Sequence, residues 1–175
     1  MAHSLLLIPV PELEYVVRPR LERIDPDHLS RDPDETAAHI TLLAPFADRE
    51  KIDEGVISEL RSFFADVIPF AYQLTELTRF PDGTTYLAPV PSSPFRHLTH
   101  ELHQRFPEFP PYGDAFDEVV PHLTIPTSCD DGADSLRFEI GALPITAHAQ
   151  EAALFWSEPD ASHTLETFRF GTTAA

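Results

Sequence analysis

The sequence predicts an α+β domain, and three observations carry that prediction. Hairpin signals alternate with amphipathic helical segments, a pattern of antiparallel strands with helices packed beside them. A short strand motif occurs once in each half of the chain, followed each time by a helix candidate and a hairpin, as in a duplicated unit. The length of 175 residues, 42% of them apolar, suits one domain of two closely packed lobes with a core that needs no staple.

The elements follow in order. Ser4 to Val10 is short and apolar and reads as a buried strand. Pro11 suits a first helical turn, and Leu13, Val16, Val17 and Leu21 fall at helical spacing, giving a helix over Glu12 to Ile24 that Pro19 should kink or end early. Asp25 to Glu35 is a polar loop, and Thr36 to Leu43 is a strand closed by Ala44-Pro45. Asp48 opens a helix whose apolar stripe is Ile52, Val56, Ile57, Leu60, Phe63 and Phe64. Phe70 to Phe80 and Thr84 to Val90 form a hairpin around Pro81-Asp82-Gly83. Pro94 to Phe106 is a helix with Ser92 or Ser93 as cap. After the proline-rich loop Phe109 to Asp114, a strand spans Val119 to Pro126 and a short helix Ser135 to Leu143. Ile145 to Trp156 and Thr164 to Phe170 make a second hairpin around Glu158-Pro159-Asp160.

The formal charge of −17 argues against long nucleic acid, which needs a basic footprint. A small anion in a local pocket stays compatible, because a site can differ in sign from the whole surface. One cysteine, Cys129, leaves no internal disulfide and no multi-cysteine metal site. No apolar run has membrane-spanning length and no secretory leader is visible, so a cytoplasmic monomer with no membrane association is expected.

The duplicated motif is where chemistry enters. Ala38-His39-Ile40-Thr41-Leu42-Leu43-Ala44-Pro45 and Pro121-His122-Leu123-Thr124-Ile125-Pro126 share His-x-Thr-apolar inside a strand closed by proline, 83 residues apart. Strand alternation puts His39 and Thr41 on one face and Ile40 and Leu42 on the other, and likewise His122 and Thr124 against Leu123 and Ile125. Two lobes facing across a pseudo-twofold axis would converge two imidazoles and two hydroxyls in one cleft. Such a set suits phosphodiester chemistry without metal. One imidazole takes a proton from the nucleophile and the other gives one to the leaving oxygen. The hydroxyls donate to the non-bridging oxygens, where charge accumulates. His97-Leu98-Thr99 also fits His-x-Thr, but it lies in a helix, and His28-Leu29-Ser30 lies in a loop.

The motif pair resembles the signature of the 2H phosphoesterase superfamily, the 2′-5′ RNA ligase-like or LigT-like proteins. HITLLAPF at 39–46 resembles the first motif with its trailing Pro-Phe, and PPYGDAFDEVVPHLTI at 110–125 resembles the lead-in to the second. The resemblance covers nearly the whole chain. It implies a bilobal fold, with two pseudo-symmetric antiparallel sheets flanking a central cleft and helices outside, and a metal-independent phosphodiesterase with no cofactor. It implies His39 and His122 as the acid–base pair and Thr41 and Thr124 as phosphate binders. By analogy His122 activates the nucleophile and His39 protonates the leaving oxygen. The implied substrate is a small nucleotide-like phosphodiester such as a 2′,3′-cyclic phosphate. Pro126 and Thr127 stand where RNA ligase-type members often carry a basic residue, which with the acidic charge speaks against tRNA or long RNA. The rival readings are a nucleotide- or phosphate-binding module of the same fold, and a metabolic enzyme using the same cleft on a non-nucleotide substrate.

Aromatic residues complete the expected site. Phe80 and Tyr112 are candidates to line the substrate, Tyr112 because it lies in the loop before His122. Phe80 and Tyr86 sit across the first hairpin, where stacking on a base and core packing are both open to them, and Trp156 reads as core. His97, His100 and His103 could share one helix face, where a solvated surface is favoured over a metal site. Asp130, Asp131 and Asp134 read as a solvated loop, because no calcium-loop spacing is present.

Overall fold

The computed structural model describes residues 2–110, 119–128 and 131–171. The chain begins with β1 (His3–Pro9), α1 (Glu14–Ile24), β2 (His39–Leu43) and α2 (Glu54–Ala65). Then come β3 (Phe70–Arg79), β4 (Thr85–Val90), α3 (Ser93–Arg105), β5 (Leu123–Thr124) and α4 (Ala133–Ile140). The last elements are β6 (Ile145–Ala149), β7 (Glu151–Ser157) and β8 (His163–Arg169). A 3-10 turn over Pro11–Leu13 leads into α1, which continues past Pro19 to Ile24 instead of ending there. Asp48 precedes only a 3-10 turn; the side chain that accepts an α2 backbone N–H, from Val56 at 2.9 Å, is that of Asp53.

All eight strands form one antiparallel sheet in the order β6-β3-β4-β5-β2-β1-β7-β8. The two expected sheets are visible as its halves, β6-β3-β4-β5 and β2-β1-β7-β8. They are joined because the two motif strands pair with each other, Ile40 opposite Leu123. These residues occupy equivalent positions in the two motifs, so the pseudo-twofold axis passes through their pairing.

Two strand expectations need correction. The segment Ile145 to Trp156 is two strands, not one. β6 pairs with β3 at one end of the sheet, whereas β7 lies between β1 and β8 at the other. Neither proline nor glycine marks the break at Gln150, and the polar pair Gln150-Glu151 is a weak local signal. What marks it is tertiary: the Phe170 N–H donates to the Gln150 carbonyl at 2.8 Å. The second motif strand is also far shorter than Val119 to Pro126, with only Leu123 and Thr124 in the ladder. Pro121 and Pro126 flank it and lack the N–H that a longer ladder requires.

The split strand shapes the molecule. β6 and β7 are six positions apart in the sheet, about 29 Å if it were flat. One residue joins them, and consecutive Cα atoms are only about 3.8 Å apart. The sheet must therefore roll into a half-barrel that brings its two ends together.

The helices cover the convex face. Ile40, Leu42, Leu123, Leu6, Ile8 and Leu154 face them in the main core. Phe64 of α2 stacks on Phe168 and Phe170, and Phe95 of α3 meets Phe70 and Tyr72 edge-on. The Thr99 hydroxyl of α3 donates to the Leu42 carbonyl at 2.9 Å, tying that helix to the first motif strand. The opposite, concave face carries a small separate apolar cluster of Leu5, Leu7 and Ala153, with Phe155 against it.

Candidate active site

The Ile40–Leu123 pairing sets the site. With those two side chains buried in the core, alternation turns both neighbours of each to the concave face. Extending the antiparallel register by one residue each way places His39 opposite Thr124 and Thr41 opposite His122. Side chains directly opposite lie about 5 Å apart at Cβ. Four polar residues thus form a compact quartet in which each histidine neighbours the other motif's threonine.

The two imidazoles are held alike. His39 Nδ1 lies 2.7 Å from the Ala37 carbonyl, and His122 Nδ1 lies 2.7 Å from the Val120 carbonyl, each two residues upstream on its own chain segment. A carbonyl only accepts, so each Nδ1 carries the proton and donates. That fixes the tautomer and leaves Nε2 as the atom that gains or loses a proton. Neither Nε2, nor either threonine hydroxyl, has a hydrogen-bond partner among the described residues. The hydroxyls of Thr41 and Thr124 are therefore free to donate to a ligand oxygen.

The histidines differ in surroundings. Burial of the His39 ring lowers its pKa below the ordinary 6.5. The bond to Ala37 opposes that shift, His122 adds to it by like-charge repulsion, and Glu14 opposes it. His122 instead sits against a stacked aromatic pair. The Phe80 and Tyr86 ring centroids are 4.0 Å apart, and they lie 5.0 and 5.6 Å from the His122 ring, both steeply inclined to it. Hairpin register explains the pair: Thr78 lies opposite Tyr86, so Phe80 is its diagonal neighbour on the same face, within reach of an aromatic ring. Tyr86 in turn pairs with Thr124, which carries the hairpin to the quartet. At the hairpin tip Asp82 accepts the Thr84 N–H at 2.8 Å. That bond, more than the nearby His122, holds its carboxyl below the usual range. Gly83, at φ 95°, supplies the left-handed residue that this turn needs.

The structure thus brings His39, His122, Thr41, Thr124 and Phe80 to one face. Tyr112, like Cys129 and Asp130, lies outside the described residues. Tyr86, which the sequence leaves open between base stacking and core packing, stands at the site. The hairpin places it beside Phe80 in the sequence, and the β4–β5 pairing adds its position beside Thr124.

Two further features carry no sequence signal. Arg20 of α1 is almost completely buried, at 1% exposure. Its guanidinium meets both Glu139 oxygens at 2.9 Å, Asp131 at 3.0 Å and the Pro126 carbonyl at 3.0 Å. This clamp fixes the segment leaving β5. Asp131, read from sequence as solvated, is instead a structural partner. Its carboxyl is lowered to about 2, chiefly by the Ser128 N–H and then by Arg20. The second feature is a cavity of about 590 Å³ on the concave face of the β2-β1-β7-β8 half, with His39 in its wall. Among the described residues, no group of three or more His, Cys, Asp or Glu is placed to hold a metal ion, the α3 histidines included. No described helix is long and apolar enough to cross a membrane.

Known proteins match this architecture. A Bacillus licheniformis protein provisionally named a phosphoesterase is 25% identical over 137 residues, 77% of this chain and 76% of that one. Among solved structures, Escherichia coli LigT complexed with 3′-AMP superposes with a TM-score of 0.61 at 16% identity, over 96% of this chain and 97% of that one. The TT0787 protein of Thermus thermophilus gives 0.64 at 16% identity, over 97% and 98%. At such identity these structures establish the shared fold. The family model of the 2′-5′ RNA ligase superfamily matches residues 13–161, a span that contains both His-x-Thr strands and the hairpin between them. A match over that much of the chain places this protein in the 2′-5′ RNA ligase superfamily, the 2H phosphoesterases.

Proposed function

We propose that the protein opens a small nucleotide-like phosphodiester, such as a 2′,3′-cyclic phosphate, by general acid–base catalysis with two histidines and no metal step. The observation that supports this most is the matched pair of Nδ1 anchors. Each ring is fixed by its own segment's carbonyl, and both Nε2 atoms and both threonine hydroxyls have no hydrogen-bond partner among the described residues. E. coli LigT has been crystallised with 3′-AMP and with ATP, which fits a superfamily cleft that accepts nucleotide phosphates.

In the proposed reaction Thr41 and Thr124 donate to the non-bridging oxygens and so stabilise the charge that builds there. A water attacks phosphorus and gives its proton to the neutral Nε2 of one histidine. The P–O bond to one ribose oxygen breaks, and that oxygen takes a proton from Nε2–H of the other, charged histidine. The ring opens to a phosphomonoester, and proton exchange with solvent resets the pair. Burial favours the neutral form of His39, which suits the base, with His122 as the acid. This reverses the assignment made by analogy.

The test is hydrolysis of the four 2′,3′-cyclic nucleoside monophosphates with EDTA present, wild type beside His122→Ala. The proposal expects turnover of at least one that survives EDTA and is lost in the variant. No turnover of any of the four by the folded wild type contradicts it and shifts weight to a binding role or a non-nucleotide diester.

A further inference from the structure

We propose that Glu14 of α1 is the positioning residue for His39, acting through the one peptide unit that joins Ala37 to Ala38. This deepens the phosphodiesterase reading and rests on it for the part His39 plays in turnover.

The contacts form a relay. Glu14 Oε1 accepts the Ala37 N–H at 3.0 Å, and Oε2 accepts the Ala38 N–H at 2.8 Å. The Ala37–Ala38 bond is trans, so its N–H and C=O point in opposite directions across one rigid plane. The N–H end meets Glu14, and the C=O end accepts His39 Nδ1–H at 2.7 Å. A carboxylate thus reaches the imidazole through a single peptide, and hydrogen bonds in such a chain polarise one another. The carboxylate is itself held. Arg18, one turn further along α1, donates from Nε to Glu14 Oε1 at 2.7 Å and from Nη2 to the Glu35 carbonyl. The Ala38 carbonyl accepts the Val10 N–H at 2.8 Å, which fixes the segment before His39 from a second side.

The second motif cannot build this relay. Its anchor is the Val120 carbonyl, and the peptide that carries it ends at Pro121, which has no N–H. Both rings share an Nδ1 anchor, but only the His39 anchor can be gripped from behind by a carboxylate. The Glu14 side chain is 24% exposed and is not in the wall of the cavity beside His39, so it acts through the ring and not on a ligand there. Burial lowers the His39 pKa, His122 adds to that from the β5 segment, and the Glu14 charge opposes it. The other charged groups around His39 are Arg18, His28, Asp34, Glu35, Glu151 and Glu166, which line the same cavity. Held in one tautomer, His39 keeps Nε2 toward the quartet as its proton comes and goes.

The experiment reads the ring and the reaction separately. Wild type, Glu14→Gln and Glu22→Gln, which removes an exposed charge from the same helix as a control, are compared by nitrogen NMR of the histidine rings across pH. Glutamine offers one acceptor oxygen, so at least one of the Ala37 and Ala38 N–H groups faces an NH2 group instead. The proposal expects Glu14→Gln to mix the two neutral His39 tautomers and to move the His39 titration to lower pH, with the His122 ring nitrogens unchanged. On 2′,3′-cyclic CMP with EDTA, kcat should fall about 10–100-fold while KM stays within about threefold, because a misdirected Nε2 affects proton transfer and not phosphate binding. Should Glu14→Gln fail to fold, Glu14→Asp takes its place. It keeps the charge but is one methylene short of the two N–H groups, and it too should mix the tautomers. A His39 ring that keeps its tautomer in the folded variant overturns the relay, as does an equal change in His122 or in Glu22→Gln. Absence of turnover in the wild type counts against the phosphodiesterase reading alone, and the ring measurement still decides the relay.

Discussion

Removing the Arg20 clamp should destabilise the protein by a predictable amount. Arg20→Leu keeps an apolar stem and deletes the guanidinium that joins α1, α4 and the segment after β5. The consequences differ by partner. Glu139 has a side chain 42% exposed and can return to water, so its share is that of a surface pair, under about 1 kcal/mol. Asp131 is only 13% exposed and the Pro126 carbonyl loses its donor, so each bears part of a desolvation cost of about 1–3 kcal/mol. Together these give about 3 kcal/mol, at the low end of the range for breaking a buried ion pair. For a chain of this size that is a fall in Tm of about 6–12 °C. Thermal unfolding followed by circular dichroism measures it, with Glu139→Gln as the mild control at under about 3 °C. A fall of less than about 2 °C for Arg20→Leu would refute the reasoning, because the clamp would then carry no net stability.

Other consequences can be tested on the same footing. If His122 is the acid, a p-nitrophenyl phosphodiester, whose leaving group needs no proton, should restore His122→Ala to within about tenfold of wild type, while His39→Ala stays about 10²–10⁴-fold down on the same ester; the opposite pattern would assign the base to His122. The net charge of −17 repels an anionic substrate, so KM for a cyclic nucleotide should fall as salt is raised from about 10 to 150 mM, a trend opposite to that of a nucleic-acid binder. A rise of KM over that range would contradict the electrostatic picture. His39 has a folded pKa below its unfolded 6.5, so on acidification the unfolded chain binds that proton first. Tm should therefore drop between pH 6.5 and the lower folded value, and His39→Asn should flatten that part of the curve; a wild-type Tm that is level there removes the burial argument.

The sequence is most informative where local pattern and tertiary structure coincide. The two His-x-Thr strands are legible because alternation alone separates a core face from a polar face, and because the second copy makes the first meaningful. The Phe70 to Val90 hairpin is legible because Pro81-Asp82-Gly83 interrupts two alternating runs. What escapes depends on contacts between distant residues. The break at Gln150 carries no proline or glycine, only the polar pair Gln150-Glu151, and it is the sheet order that sends the two sides to different ends. Arg20 looks like any helical arginine until Asp131 and Glu139, 111 and 119 positions away, are brought to it.

The central claim is that the two motif histidines act as one unit on a phosphodiester. It is tested most directly by kcat on 2′,3′-cyclic CMP for the wild type, His39→Ala, His122→Ala and the double variant, each checked for a normal melt. The account predicts that either single change lowers kcat by about 10²–10⁴-fold, and that the second change adds less than about tenfold, because residues that act together lose their effect together. A folded single variant that keeps more than about half of the wild-type turnover would contradict it.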